Sequence, residues 1–166
     1  MADGSESKRL WRVALIIAAV GIVVVALLVF VLIRVRHDYV QQGIMNANEA
    51  AALATLENIQ AQEQSFRETG GQYVTFQQLA DAGVIQAPTG GDTLVSGGYK
   101  FTLKVTPKTD AQGPTYTVNA DPERAGGRDA TGRRHFFISS EVTGVRVNED
   151  RPATASDKPR LTVDEY

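Results

Sequence analysis

Two histidines, no cysteines and 19 carboxylates are the groups from which this 166-residue chain could build chemistry. Without cysteine there is no catalytic thiol, no disulfide framework and no thiolate-held zinc or iron–sulfur centre. His37 stands beside Arg34 and Arg36 at the end of an apolar run. His135 precedes Phe136 in an alternating stretch, which turns the imidazole towards solvent. The sequence has no G-x-S-x-G elbow, no Gly-Lys-Ser/Thr phosphate loop, no G-x-G-x-x-G and no H-E-x-x-H. A His-based triad or a His-held metal therefore has almost no raw material, and the chain is expected to be no enzyme and to need no cofactor.

The carboxylates are more informative by position. Glu49 and Glu63 interrupt a line of apolar residues. Glu63 reads either as a solvated edge residue or as a partner for a backbone amide. Arg124, Arg128, Arg133 and Arg134 make a loose basic patch that could meet an acidic partner or lipid headgroups. Asp121, Glu123 and Asp129 are interleaved with it, so a solvated loop of mixed charge is the favoured reading. Charge is divided unevenly along the chain. Residues 1–36 carry five basic residues against Asp3 and Glu6, a balance of +3. Residues 37–166 hold 12 basic and 17 acidic residues, a balance of −5. Gripping a phosphate backbone takes clustered Lys and Arg, so nucleic acid is not an expected partner.

The elements that position these groups begin with an anchor. From Val13 to Ile33, through Gly21 and Phe30, the chain reads VALIIAAVGIVVVALLVFVLI without a charged side chain. A helix of that length covers about 30 Å, the thickness of a bilayer's hydrocarbon core, and satisfies its own backbone there. The run is longer than a secretory signal's apolar region. It ends in Arg34-Val35-Arg36-His37 rather than at a small-residue cleavage site, so retention is expected. Lys8, Arg9 and Arg12 outnumber Arg34 and Arg36, which puts residues 1–12 in the cytoplasm as a short tail. Trp11 and Tyr39 are placed to meet the two interfaces. Gly21 lacks a glycine four residues away, so no helix-pairing motif is read.

Residues 34–147 read as an α+β domain outside the cytoplasm. Ala, Leu, Glu and Gln dominate a helix over about 38–68, with Gly43 as a weak point and Gly70-Gly71 as the stop. Met45, Ala52, Ile59 and Phe66 recur every seven residues, and Leu53 and Leu56 widen the line into an apolar stripe. That stripe is expected to pack on the chain's own sheet. Thr75 and Gln78 fit a capping box for a short second helix, flanked by Val74 and Leu79 as a hydrophobic staple and closed by Gly83 before Pro88. From Tyr99 the period becomes two: Tyr99, Phe101, Leu103 and Val105 face one way. Further strands are expected at about 115–120, with Tyr116 and Val118 inward, and about 133–139, with Phe136 and Ile138 inward. Gly144 is read as the turn into a fourth strand around Val145–Val147, and residues 148–166 as a flexible tail. The expectation is a long amphipathic helix on a four-stranded antiparallel sheet, continuing from a transmembrane helix.

This order resembles the type IV pilin and type II secretion pseudopilin family. The resembling stretches are Asn48-Glu49-Ala50-Ala51-Ala52, Gly97-Gly98-Tyr99-Lys100-Phe101-Thr102, Tyr116 to Pro122, Thr131 to Phe137 and Gly144-Val145-Arg146, within roughly 44–156. The resemblance implies an inner-membrane, single-pass bacterial protein with a periplasmic or extracellular domain. It would be a structural or accessory part of a pilus or secretion assembly, with the bilayer, pilin-like subunits or secretion components as partners. It also implies calcium near the C-terminus, where Asp150 and Asp157 lie, with Asp121 and Asp129 in an earlier loop. Calcium takes six to eight oxygens, so scattered Asp residues read first as solvated loop carboxylates. The chain departs from the family in two places. Gly4-Ser5-Glu6 leads into charged residues rather than an apolar run, and no acidic residue lies between Val13 and Ile33. The other reading that follows is a membrane-tethered binding or sensing domain that does not polymerise.

Overall fold

The computed structural model describes residues 4–160, with the side chains of 4–10, 13 and 14 outside the description. The chain divides into two compact units, Met1–Gln42 and Gly43–Tyr166. Helix α1, Gly4–Gly70, contributes to both. In the first unit its described apolar side chains are not buried: Leu15, Ile22, Phe30 and Ile33 are all more than half exposed. A helix that is apolar on every side and covered on none is unstable in water but matched to a hydrocarbon solvent. It is the one helix among the described residues long and apolar enough to cross a membrane, by length and composition.

The second unit is an α+β fold. After α1 come helix α2 (Phe76–Asp81) and strands β1 (Thr93–Ser96), β2 (Tyr99–Thr106), β3 (Thr115–Pro122), β4 (His135–Ser139), β5 (Val142–Asn148) and β6 (Lys158–Pro159). The strands form one antiparallel sheet in the order β1-β2-β3-β4-β5-β6, so each pairs with its sequence neighbour. The sheet therefore has six strands, not the four expected. β1 precedes the long alternating strand and turns into it at Gly97 and Gly98, whose φ values of +56° and +74° suit a two-residue hairpin turn. β6 lies in the Pro- and Asp-rich segment expected to be a flexible tail. Residues 161–166 of that segment lie outside the described residues. The expected turn at Gly144 is also displaced. Ser140 and Glu141 make the β4–β5 turn, and Gly144 sits inside β5, where its φ of +75° accommodates a bulge against β4.

Partners across the ladders share a face, which sets the core. Phe101 pairs with Ala120, Leu103 with Val118 and Val105 with Tyr116, and Val118 and Ala120 pair onward with Ile138 and Phe136. This face buries Leu53, Leu56 and Ile59 of α1 together with Phe76 and Leu79 of α2. Each fully buried Leu, Ile or Phe contributes about 1.5–3 kcal/mol of transfer free energy, enough to make this seam the main source of cohesion. The capping box at α2 is complete: Gln78 N donates to Thr75 Oγ1 at 3.3 Å and Thr75 N to Gln78 Oε1 at 2.8 Å.

β4 is buried along its whole length, on both faces. The segment between β5 and β6 meets the sheet's outer face, where Asn119 Nδ2 donates to the carbonyl of the buried Ala153 at 2.8 Å. Asp157 organises that segment. Its carboxylate accepts from Asn148 Nδ2 at 2.8 Å, from Thr154 N and Oγ1 at 2.8 Å each, and from the Arg151 guanidinium at 2.9 and 3.1 Å. These bonds, the Asn148 amide foremost, hold the Asp157 carboxyl well below the usual carboxylate range. A depressed value stabilises the loop above the free carboxyl's titration range, and the stabilisation is lost as pH falls through the folded value. Asp157→Asn is expected to speed hydrogen exchange at the Thr154 and Arg160 amides at neutral pH while leaving Val118 protected. Unchanged exchange at Thr154 would show that the loop is held by other contacts.

Candidate functional site

The residues expected to form the domain's packing faces are placed as follows. Ala52, Leu56 and Ile59 are buried, Phe66 is half-buried against the same core, and Met45 is half-buried. Tyr99, Phe101, Leu103, Tyr116, Val118, Phe136 and Ile138 are buried in the core, with Val105 half-buried at its margin. In the first unit, an added Cβ at Gly21 would meet no atom within 4 Å, and the Arg34 guanidinium lies 5.7 Å from the Phe30 ring centroid. The side chain of Val13 lies outside the described residues.

The polar groups carry more than their sequence positions suggest. Glu49, only 3 % exposed, reaches from α1 to the end of the β3–β4 connection. Its Oε1 accepts from the backbone N–H groups of Arg133 and Arg134 at 2.9 and 3.2 Å, and its Oε2 meets Arg134 Nε at 2.6 Å. One residue earlier, Asn48 Nδ2 donates to Thr131 O at 2.8 Å. The connection is braced internally as well. Thr131 N donates to Arg124 O at 3.0 Å, Arg124 N to Thr131 Oγ1 at 3.1 Å, and Arg124 Nε to Asp129 O at 2.8 Å. The four arginines, read first as part of a solvated loop of mixed charge, are divided: Arg134 is bound to Glu49 and Arg124 to its own loop.

His135 is buried, not solvent-facing as its alternation implied, and its Nδ1 lies 2.6 Å from Asp121 Oδ1. Alternation assigns His135 to the outer side, but β4 is buried on both faces, and Asp121 of β3 meets the imidazole there. The pair locks β3 to β4 beside the Glu49 contact. The carboxylates considered for calcium are separated by these roles. Asp121 engages His135, and Asp157 engages Asn148, Arg151 and Thr154. No group of three or more His, Cys, Asp or Glu side chains converges among the described residues.

Glu63 is fully buried beneath the end of α1. Its Oε2 accepts from Val74 N at 3.0 Å, and its Oε1 has no partner. Of the two readings left open by the sequence, the structure selects the backbone-amide partner. Burial pushes this carboxyl up to about 7, the Val74 bond pulling partly the other way. Beside it, Tyr73 and Tyr116 stack edge-on with ring centroids 4.7 Å apart, and Arg67 Nη1 donates to Tyr73 Oη at 3.2 Å. The two tyrosines line an open groove of about 540 Å³ between α1 and the β4–β5 turn, together with Gln60, Gln64, Ser140 and Thr143. Its walls are mixed polar and aromatic. No protein-family model, curated protein or solved structure matches the chain.

Proposed function

We propose that this chain is a non-enzymatic, membrane-anchored pilin-like or pseudopilin-like protein, a structural or accessory component of a type IV pilus or type II secretion assembly. In this reading it sits in the inner membrane with its N-terminus cytoplasmic and its α+β domain periplasmic or extracellular. The observation that carries the proposal is one of order. A single helix, α1, supplies first an all-apolar stretch and then the face that packs on a sequential antiparallel sheet. The positive residues before the apolar stretch support the orientation. A domain of this kind acts through contacts, and fold likeness alone does not decide which ones. The second reading, a stand-alone tethered binding or sensing domain, is favoured by the lack of any acidic residue between Val13 and Ile33.

The test uses the full chain in its native host. Membranes are isolated, cross-linked through lysine and the chain's intact mass and adducts are measured. A shortened, N-methylated chain cross-linked to pilin-like subunits is the outcome expected of an assembly component. An unprocessed chain without such adducts would transfer the assignment to the tethered domain. Recovery of the chain in the soluble fraction would overturn both.

A further inference from the structure

Glu63 is costly where it stands. A carboxylate removed from water needs its acceptor sites filled, and here one oxygen has the Val74 amide while the other has nothing. A protonated carboxyl is cheaper to bury: one oxygen keeps the amide, the other carries the proton, and a neutral O–H is left in place of a charge. The contact joins α1 to the Gly71–Thr75 junction that leads into α2, eleven residues further on. We propose that Glu63 is a proton-controlled latch on the α1–α2 junction, closed when its carboxyl is neutral and loosened when it ionises.

The titratable and charged groups near Glu63 come from several elements. From β3 comes Tyr116, whose phenol is pushed up by burial and, secondarily, by Glu63 itself. From the junction comes Tyr73, bonded to Arg67, whose guanidinium also lies 5.5 Å from the Tyr73 ring centroid. Glu57 and Glu141 line the same groove from α1 and the β4–β5 turn, both exposed. Asp81, the charged residue of α2, is exposed and bonded to Gln77 at 2.8 Å. Among the described residues no cation reaches Glu63 Oε1, so ionisation there is met by opening rather than by pairing. Because Tyr73 forms a wall of the groove, loosening the junction reshapes that surface.

The sign follows from the two protonation states. With the closed carboxyl titrating at about 7 and the opened one near its ordinary 4.5, opening releases a proton between those values. The closed state is fully favoured below 4.5, and the advantage is lost as pH rises through 7. Hydrogen exchange of the Val74 amide, measured on the full chain in lipid nanodiscs and corrected for intrinsic exchange, is the test. Its opening constant is expected to rise on the order of 100-fold between pH 4.5 and 7.5 and then level off. Glu63→Gln, which keeps an acceptor for Val74 and carries no charge, is expected to abolish the rise. A flat profile in the wild type would overturn the latch. So would the same rise in Glu63→Gln, or an equal rise at the Val118 amide, which would mark opening of the whole domain.

Discussion

Replacing Glu49 with alanine is expected to destabilise the domain by about 3 kcal/mol. The size follows from what the substitution leaves behind. Two adjacent backbone N–H groups, those of Arg133 and Arg134, lose their acceptor in a partly buried position. Each orphaned donor costs about 1–3 kcal/mol when water cannot replace the partner. The Arg134 side chain is itself 39 % exposed, so its bond to Glu49 is screened and contributes the smaller share. Glu49→Gln separates the two contributions. It keeps a side-chain oxygen for the two amides but removes the charge and puts an NH2 where Oε2 accepts from Arg134 Nε, and a loss of about 1 kcal/mol is expected. Urea unfolding of the full chain in detergent, followed by tyrosine near-ultraviolet circular dichroism, reads both. Equal losses for the two variants would mean that the ion pair, not the amide capture, holds the connection to α1.

Gly132→Ala is expected to cost at least about 3 kcal/mol for an unrelated reason, lack of space. A Cβ built on Gly132 would collide with Tyr99 Oη and lie 2.7 Å from both Cζ and Cε2 of the same ring. The ring has nowhere to go. Tyr99 is fully buried, tilted against Phe136 at 5.8 Å, and its hydroxyl donates to Arg134 O at 2.8 Å. Relief requires either moving the core or pushing residues 131–134 away from α1, which breaks the Asn48 and Glu49 contacts. Gly113→Ala is the control, since an added Cβ there meets nothing within 4 Å, and a change within about 0.5 kcal/mol is expected. A comparably small effect at Gly132 would show that the connection yields without disturbing the core.

Both positions show where sequence reading works in this chain. The apolar run, the seven-residue recurrence on α1, the alternation of Tyr99 to Val105 and the Thr75–Gln78 box are written in side chains, and each has a local period or spacing. The two edge strands are not. β1 offers only Thr93–Ser96 and β6 only Lys158–Pro159, too few residues to express a period of two. Glu49 and Glu63 read as faults in an apolar stripe because their partners are main-chain amides at 133, 134 and 74, which carry no residue-specific signal. His135 was misplaced for a related reason. Alternation gives the face of a strand but not whether that face is wet, and β4 is buried on both faces.

The meander has a consequence for how the chain is made. Every strand pairs with the one just before it, so sheet contacts are short in sequence and can zip as synthesis proceeds. The bonds from α1 to the β3–β4 connection span 83 to 85 residues. At about 5–20 residues per second, Asn48 and Glu49 wait roughly 4–17 s before residues 131–134 exist to receive them. During that interval α2, β2 and β3 can already cover Leu53, Leu56 and Ile59, so the polar clamp at Asn48 and Glu49 closes on a partly formed core.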